Sequence, residues 1–290
     1  MRGGQHQVSL LLRALQEEGH EPSLLAREDG ALFAVARSAG IETHAVDARA
    51  VWKYSRKADV VHAHDARGHT IAAIASRRKF VVSRRVAFPV KRSVGSLWKY
   101  QRATRYLAVS RFVENQLLTA GVRQEKIDVV YDAIDDVGPP QTWNPENPAI
   151  ALASRDPEKG RDLVEQAARA SGVEVLFSDN LTHDLQRASM FVYISRSEGL
   201  GSAVLLAMGY GVPVIASRIG GLAEIFEGDL SGVFVENEAG DIVRAMRKVL
   251  GNRTFAQGLI AEGRNRIAQR FTKRHLVEAT LASYRKAVGG

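Results

Sequence analysis

The stretch Met190-Phe191-Val192-Tyr193-Ile194-Ser195-Arg196-Ser197-Glu198-Gly199-Leu200-Gly201-Ser202-Ala203 decides the fold. Its first five residues form a short apolar run, the pattern of a strand buried on both faces. A short glycine-containing loop follows, then a helix whose residues are almost all small or apolar. Gly199 and Gly201 let the backbone approach a ligand closely. Free N–H groups at the helix start, near Leu200, Gly201, Ser202 and Ala203, suit a phosphate or diphosphate. Glu198 stands at the loop mouth, where a carboxylate accepts hydrogen bonds from sugar hydroxyls. On loop chemistry alone, an ordinary turn before a buried helix accounts for the stretch equally well.

Outward from this unit the same alternation continues. Short apolar runs at 149–153, 173–177, 212–216 and 233–235 read as further strands, and helical patterns lie near 240–250, 254–270 and 273–287. Upstream, 23–26, 60–61, 80–82, 106–109 and 127–130 read likewise. Strands alternating with helices predict parallel sheets covered on both faces. Between the two series, Gly138-Pro139-Pro140, Pro145 and Pro148 read as an inter-domain linker. The expectation is two doubly wound α/β domains with ligands in one cleft. Val8, Leu11, Leu12 and Leu15 predict a first helix over roughly 7–18. Arg2-Gly3-Gly4-Gln5 reads as a glycine-rich turn before that helix, yet no strand precedes it. A first strand is normally central in such a sheet, so a start truncated by one strand is expected.

A length of 290 residues is enough for about two domains, and 45% apolar with 25% charged residues is ordinary for a globular chain. The absence of cysteine excludes a disulfide framework, a thiolate zinc site and a cysteine nucleophile. No uncharged apolar run approaches the ~18 residues that cross a bilayer. Glu17, Glu18 and Glu21 interrupt the N-terminal apolar stretch too early for a signal peptide, so a cytoplasmic location is expected. The net charge of +8 is unevenly spread. Between Asp65 and Glu114 there are twelve lysines and arginines and no acid, so the rest of the chain is mildly acidic.

Other residues carry candidate chemistry. Arg155, Pro157, Glu158, Lys159 and Gly160 follow the strand at 149–153, where two cations would neutralise a diphosphate leaving group. Gly220-Gly221 reads more simply as a plain turn. His62-Ala63-His64-Asp65 follows Val60-Val61. His62 reads as a core histidine, and His64 as the one that meets a substrate hydroxyl or leaving phosphate. No third ligand completes a metal site and no Asp-x-Asp occurs, so a metal-free site is expected.

Taken together, Ser197-Glu198-Gly199-Leu200-Gly201, Ala207-Met208, Gly211-Val212-Pro213-Val214-Ile215-Ala216 and Gly220-Gly221-Leu222-Ala223-Glu224 resemble the donor domain of retaining family 4 glycosyltransferases. Asp59-Val60-Val61-His62-Ala63-His64 resembles that family's histidine motif, and the likeness covers nearly the whole chain. It implies the GT-B fold: an acceptor-side Rossmann-like domain over 1–140, a donor domain over 141–270, and a helix over 271–290 crossing back to the first. It implies a nucleotide-sugar donor as substrate, with no cofactor and no metal. By motif position Arg155 and Lys159 would contact the donor diphosphate. Glu198 would face the donor sugar, with the Gly199, Leu200, Gly201, Ser202 and Ala203 amides near it. His64 would sit beside the transferred sugar, making His64 and Glu198 the candidate catalytic residues. The family's second carboxylate, eight residues after the first, is Leu206 here. One βα unit of about 30 residues between Lys159 and Glu198 is also absent.

The acid-free segment includes Ser83-Arg84-Arg85 and Trp98-Lys99-Tyr100. It suits an anionic glycolipid or glycan acceptor, such as a lipopolysaccharide core, received by Gly3, Gly4, Arg84 and Arg85. Peripheral contact with an anionic membrane, on the inner face of the cytoplasmic membrane, is the accompanying expectation. The alternative function is a degenerate, non-catalytic GT-B protein that binds a glycan or anionic lipid, a reading that Leu206 motivates. A nucleic-acid partner is not expected, because no helix-turn-helix, zinc or RNA motif is present. A dehydrogenase is weaker still, because no Gly-x-Gly-x-x-Gly opens either domain.

Overall fold

The computed structural model describes residues 3–90, 93–140, 142–226 and 230–289. Arg2, Lys91 and Arg92, which the sequence placed in the first turn and the basic segment, lie outside the described residues. The chain forms two compact units, Met1–Ala133 with Lys273–Gly290, and Ile134–Thr272.

The first unit runs α1 (Gly3–Glu17), β1 (Ser23–Ala26), α2 (Ala31–Ser38), β2 (Glu42–Ala45), α3 (Ala48–Ser55), β3 (Val61–Ala63), α4 (Ala66–Ala75), β4 (Phe80–Arg84), α5 (Val94–Arg102), β5 (Arg105–Ala108), α6 (Arg111–Thr119) and β6 (Ile127–Val129). β3, β4, β5 and β6 pair in that order in one parallel sheet, while β1 and β2 form a separate parallel pair. Among the described residues the two sheets share no strand pairing.

The second unit runs β7 (Ala149–Leu152), α7 (Arg161–Ser171), β8 (Val175–Ser178), α8 (Leu181–Asp184), β9 (Met190–Tyr193), α9 (Ser202–Gly209), β10 (Val214–Ser217), β11 (Val233–Val235), α10 (Ala239–Gly251) and α11 (Arg253–Arg270). Its five strands are all parallel, in the order β11-β10-β9-β7-β8. β9 is central and buried throughout, as its unbroken apolar run requires. The final helix, α12 (Lys273–Gly289), packs on α1 in the first unit, where Leu276, Val277 and Ala287 join Leu10, Leu11, Ala14 and Leu15 in one core.

Several expectations shift. α1 begins at Gly3, so Gly3 and Gly4 occupy its first turn and not a preceding loop. The first-turn N–H groups of any helix lack intrahelical partners, so glycine's weak helix propensity matters little there. β2 was not expected: Glu42-Thr43-His44-Ala45 has no apolar run, and the strand pairs only with β1. β4 extends through Arg84, which therefore ends the strand and does not follow it. The proline-rich stretch lies within the second unit. Trp143 is buried and donates its Nε1–H to the Ser189 carbonyl at 2.7 Å. Pro140 packs so closely on Gly211 that a Cβ there would lie 2.7 Å from its own. Proline and glycine mark where backbone pairing stops, not where packing stops.

Candidate functional site

In the second unit the site grows from the end of β9. The Ser195 N–H donates to Ser217 Oγ at 3.0 Å, and Asn237 Nδ2 donates to the Ser195 carbonyl at 3.0 Å. These bonds pin the loop that carries Glu198 to the ends of β10 and β11. The loop also leans on Gly220, whose φ is +49°. A Cβ at Gly220 would collide with the Glu198 carbonyl, and the Gly221 N–H donates to that same oxygen at 3.2 Å. Gly220-Gly221 is therefore more than a plain turn: it is the seat of the Glu198 loop. Gly201, at φ +109°, turns the chain into α9, and a side chain there would strike Leu222.

Glu198 Oε2 lies 2.7 Å from Lys159 Nζ and accepts the Tyr193 hydroxyl, while Oε1 accepts the Gly199 N–H at 3.1 Å. Lys159 Nζ is also 3.2 Å from the Tyr193 hydroxyl. Burial, then the Glu198 charge, pushes the Tyr193 hydroxyl well above the ordinary tyrosine range, so it remains a donor. The Lys159 and Glu198 side chains are 25% and 16% exposed, shielded enough to strengthen the pair yet open enough to exchange partners. Tyr193 was missed by sequence reasoning, because its place on an apolar strand looked like core.

The other expected donor residues divide. Arg155 is exposed and joins none of these contacts. Leu200 is buried in the core, so only its backbone can face a ligand. Ser202, Ala203 and Leu206 are the half-buried residues of α9, opposite its buried Val204, Leu205, Ala207 and Met208. Leu206 thus lies one turn beyond Ser202 and Ala203 on the open side, where a carboxylate would have been reachable.

In the first unit, His62 on β3 uses both ring nitrogens: Nδ1 is 2.7 Å from the Tyr284 hydroxyl of α12, and Nε2 is 2.8 Å from Ser83 Oγ. Burial, with the nearby Arg85 charge, pushes its pKa down to about 3, so it is neutral at pH 7. His64 follows β3 directly, its ring 3.8 Å from that of His62. Burial, then His62 and Arg85, holds it well below the ordinary histidine range. Arg85 Nη1 lies 3.3 Å from His64 Nδ1. A guanidinium only donates, so Nδ1 is the acceptor and the neutral ring carries its proton on Nε2. His64 is thereby a hydrogen-bond donor at Nε2 and not a base.

Arg85 is itself fixed by Asp132, with Nε 3.0 Å from Oδ1 and side chains 15% and 5% exposed. Arg84 donates to the Tyr100 hydroxyl at 2.8 Å and to the Phe88 carbonyl. The two arginines expected to receive an anion are thus built into the unit, one bracing α5 and the other orienting His64. Gly4 lies beside Arg85, since a Cβ there would sit 3.9 Å from its Cδ, and both Gly3 and Gly4 are exposed. Gln7 clamps the Ala133 backbone through both its amide atoms, holding α1 against the Asp132 segment. Among the described residues no three His, Asp or Glu side chains converge as a metal cluster, and no helix is long and apolar enough to cross a membrane.

These two sites sit at the ends of parallel sheets in units of the GT-B fold. Residues 1–137 match the model of Glycosyltransferase Family 4 and residues 147–266 that of Glycosyl transferases group 1, so the chain is similar to these glycosyltransferase families in both units. It is 30% identical over 154 residues to alpha-maltose-1-phosphate synthase of Mycolicibacterium smegmatis, covering 49% of this chain and 38% of that protein. It is 27% identical over 270 residues to the D-inositol 3-phosphate glycosyltransferase of the same organism, covering 76% of this chain and 61% of the relative. Among solved structures, Anabaena HepE in complex with UDP and glucose superposes with a TM-score of 0.82 at 16% identity, over 97% of this chain and 95% of that one. The lipopolysaccharide outer core galactosyltransferase WaaB in its apo form gives 0.71 at 14% identity, over 98% and 95%.

Proposed function

We propose that the second unit binds a nucleotide-sugar and that the chain transfers its sugar, with retention of configuration, to an anionic glycan or glycolipid bound by the first unit. The observation that carries this reading is the Lys159–Glu198–Tyr193 cluster, seated by Gly220-Gly221 at the end of β9. A diphosphate competes with Glu198 for Lys159, and the released carboxylate keeps the Tyr193 hydroxyl and the Gly199 amide while it accepts sugar hydroxyls. His64 donates from Nε2 to an oxygen of the substrate. In the transfer step the bond from the anomeric carbon to the diphosphate oxygen breaks. The acceptor oxygen bonds to that carbon, and its proton passes to the departing phosphate. HepE, whose fold this chain shares, has been solved with UDP-glucose, which makes that donor the first to try. Metal-independent action in the cytoplasm, at the inner membrane face when the acceptor is a lipid, belongs to the same reading.

The test is turnover across a panel of nucleotide-sugars, with the product anomer read by NMR. Release of nucleotide with an α-linked product from an α-linked donor supports the proposal. Leu206 favours a second reading, in which the protein binds a glycan or anionic lipid without turnover. Glycan binding with no turnover of any donor selects that reading.

A further inference from the structure

Lys159 is carried by a turn too short to hold itself in place. The 3₁₀ turn Pro157–Lys159 is opened by Asp156, whose Oδ1 accepts the Glu158 N–H at 3.0 Å, and closed by Gly160 at φ +53°. Within it the Lys159 N–H donates to the Asp156 carbonyl at 2.9 Å, and the Gly160 N–H makes a long contact of 3.5 Å with the Pro157 carbonyl. Pro157 and Glu158 are exposed. A lysine carries its charge at the end of a long flexible stem, so where Nζ can reach depends on where its backbone is held.

The holding is done by Arg196, in the loop that carries Glu198. Its Nη1 donates to the Pro157 carbonyl at 2.7 Å, and its backbone N–H donates to the Glu158 carbonyl at 2.7 Å. These two carbonyls directly precede Lys159 in the chain. Ser195 Oγ stands between the loops, 3.1 Å from the same Glu158 oxygen and 3.0 Å from the Ser197 carbonyl. On the far side of the turn Gly160 presses on Ile194: a Cβ there would come within 2.5 Å of Ile194 Cγ2. Arg196 Nη2 also lies 3.5 Å from Asp162 Oδ2, in the first turn of α7.

The division of labour follows from these bonds. Ser217, Asn237 and Gly221 fix the Glu198 loop to the β10 and β11 side, whereas Arg196 ties it to the turn of Lys159. The Arg196 and Asp162 side chains are 45% and 55% exposed, so the ion pair between them is weak. The guanidinium therefore serves chiefly the Pro157 carbonyl, through a charge-assisted bond. With both carbonyls held, the Lys159 backbone keeps its place while its side chain remains free to change partner.

We propose that Arg196 is a positioning residue for donor binding: by holding the Pro157 and Glu158 carbonyls it sets where Lys159 stands against the Glu198 loop, and so where the lysine meets a diphosphate. The inference rests on the reading that Lys159 takes the donor diphosphate, and adds the residue that prepares it for that task. Arg196 acts through Lys159 and not on the ligand, because its Nη1 and its N–H are spent on the turn. A binding group held in place before its ligand arrives loses less freedom on binding, which is what the clasp contributes.

The test is calorimetric titration of the full chain with UDP, arranged as a double-mutant cycle. Arg196→Met keeps the stem and removes the donors; it should weaken UDP binding about 5- to 10-fold, the worth of one hydrogen bond. Its melting temperature should stay near that of the wild type, because the side chain is half exposed. In a Lys159→Ala background the same change should cost less than about twofold, since the group it positions is gone. Arg196→Lys, which still donates to the Pro157 carbonyl, should restore most of the affinity. If Arg196→Met proves unstable, Ser195→Ala reads the same joint, with a smaller loss that Lys159→Ala also cancels. Undiminished binding by the folded variants, or a lysine that restores nothing, overturns the proposal. So does a loss of the same size with and without Lys159, which means that Arg196 meets the diphosphate itself. A wild type that binds neither UDP nor any nucleotide-sugar overturns the donor reading and this inference with it, whereas a wild type that binds UDP no better than Arg196→Met overturns the inference alone.

Discussion

The charged cluster of the second unit and the histidine cluster of the first are built on opposite terms. Lys159 and Glu198 pair across two loops, and Lys159 has the long, freely rotating stem that allows partner exchange. Arg85 and Asp132 pair deeper, beside two neutral histidines, with their positions fixed by β3, β4, α1 and α12. The first arrangement suits a ligand that arrives carrying its own charge and replaces one partner. The second suits a donor that must keep one tautomer and one orientation. A charged pair is thus either a site held ready or a brace, and exposure with partner geometry tells them apart.

The largest effect that would break this comparison is on stability. Asp132→Ala strands the Arg85 guanidinium in a mostly buried place, and urea unfolding should show a loss of about 3–5 kcal/mol. Lys159→Ala should cost the fold less, about 1–3 kcal/mol, because Glu198 keeps the Tyr193 hydroxyl and the Gly199 amide. Equal losses would mean that the two pairs are the same kind of brace.

The histidines give an acid-side signature. Below pH 6.5 the unfolded chain takes up protons at His62 and His64 that the native state refuses, so stability falls as pH falls, from about 6.5 down toward the His62 value of about 3. The slope reaches about 1.4 kcal/mol per pH unit for each histidine. Between pH 6.5 and about 5, His62→Gln should flatten the unfolding profile by roughly one such contribution. A variant with the slope of the wild type would show that His62 titrates normally in the native state.

Two smaller effects sharpen the contrast. Leu206→Glu places a carboxylate on the open side of α9 and should tighten nucleotide binding by about tenfold, the worth of one charge-assisted hydrogen bond. Calorimetric titration with UDP reads it. Tyr284→Phe removes the hydroxyl that holds His62 Nδ1 and should cost about 1 kcal/mol. It should lower turnover while leaving the donor's affinity unchanged, because Tyr284 belongs to the first unit.

How much of this was legible follows from sequence distance. The Glu198 loop is a contiguous strand–loop–helix, so its shape could be read from fourteen successive residues. Its partners Lys159 and Gly220 stood out as loop residues, but Tyr193 was hidden within an apolar run. In the first unit, Asp132 lies 47 residues after Arg85 and Tyr284 lies 222 after His62, so no local pattern announces either contact. β2 had no apolar pattern to read at all.

The most direct test of the account is the affinity of Lys159→Ala for the donor. Isothermal titration with UDP-glucose, or whichever nucleotide-sugar the panel selects, should show a loss of about 10- to 100-fold against the wild type, the worth of a charge-assisted bond to the diphosphate. An affinity equal to that of the wild type would mean that the Lys159–Glu198 pair is not the donor site.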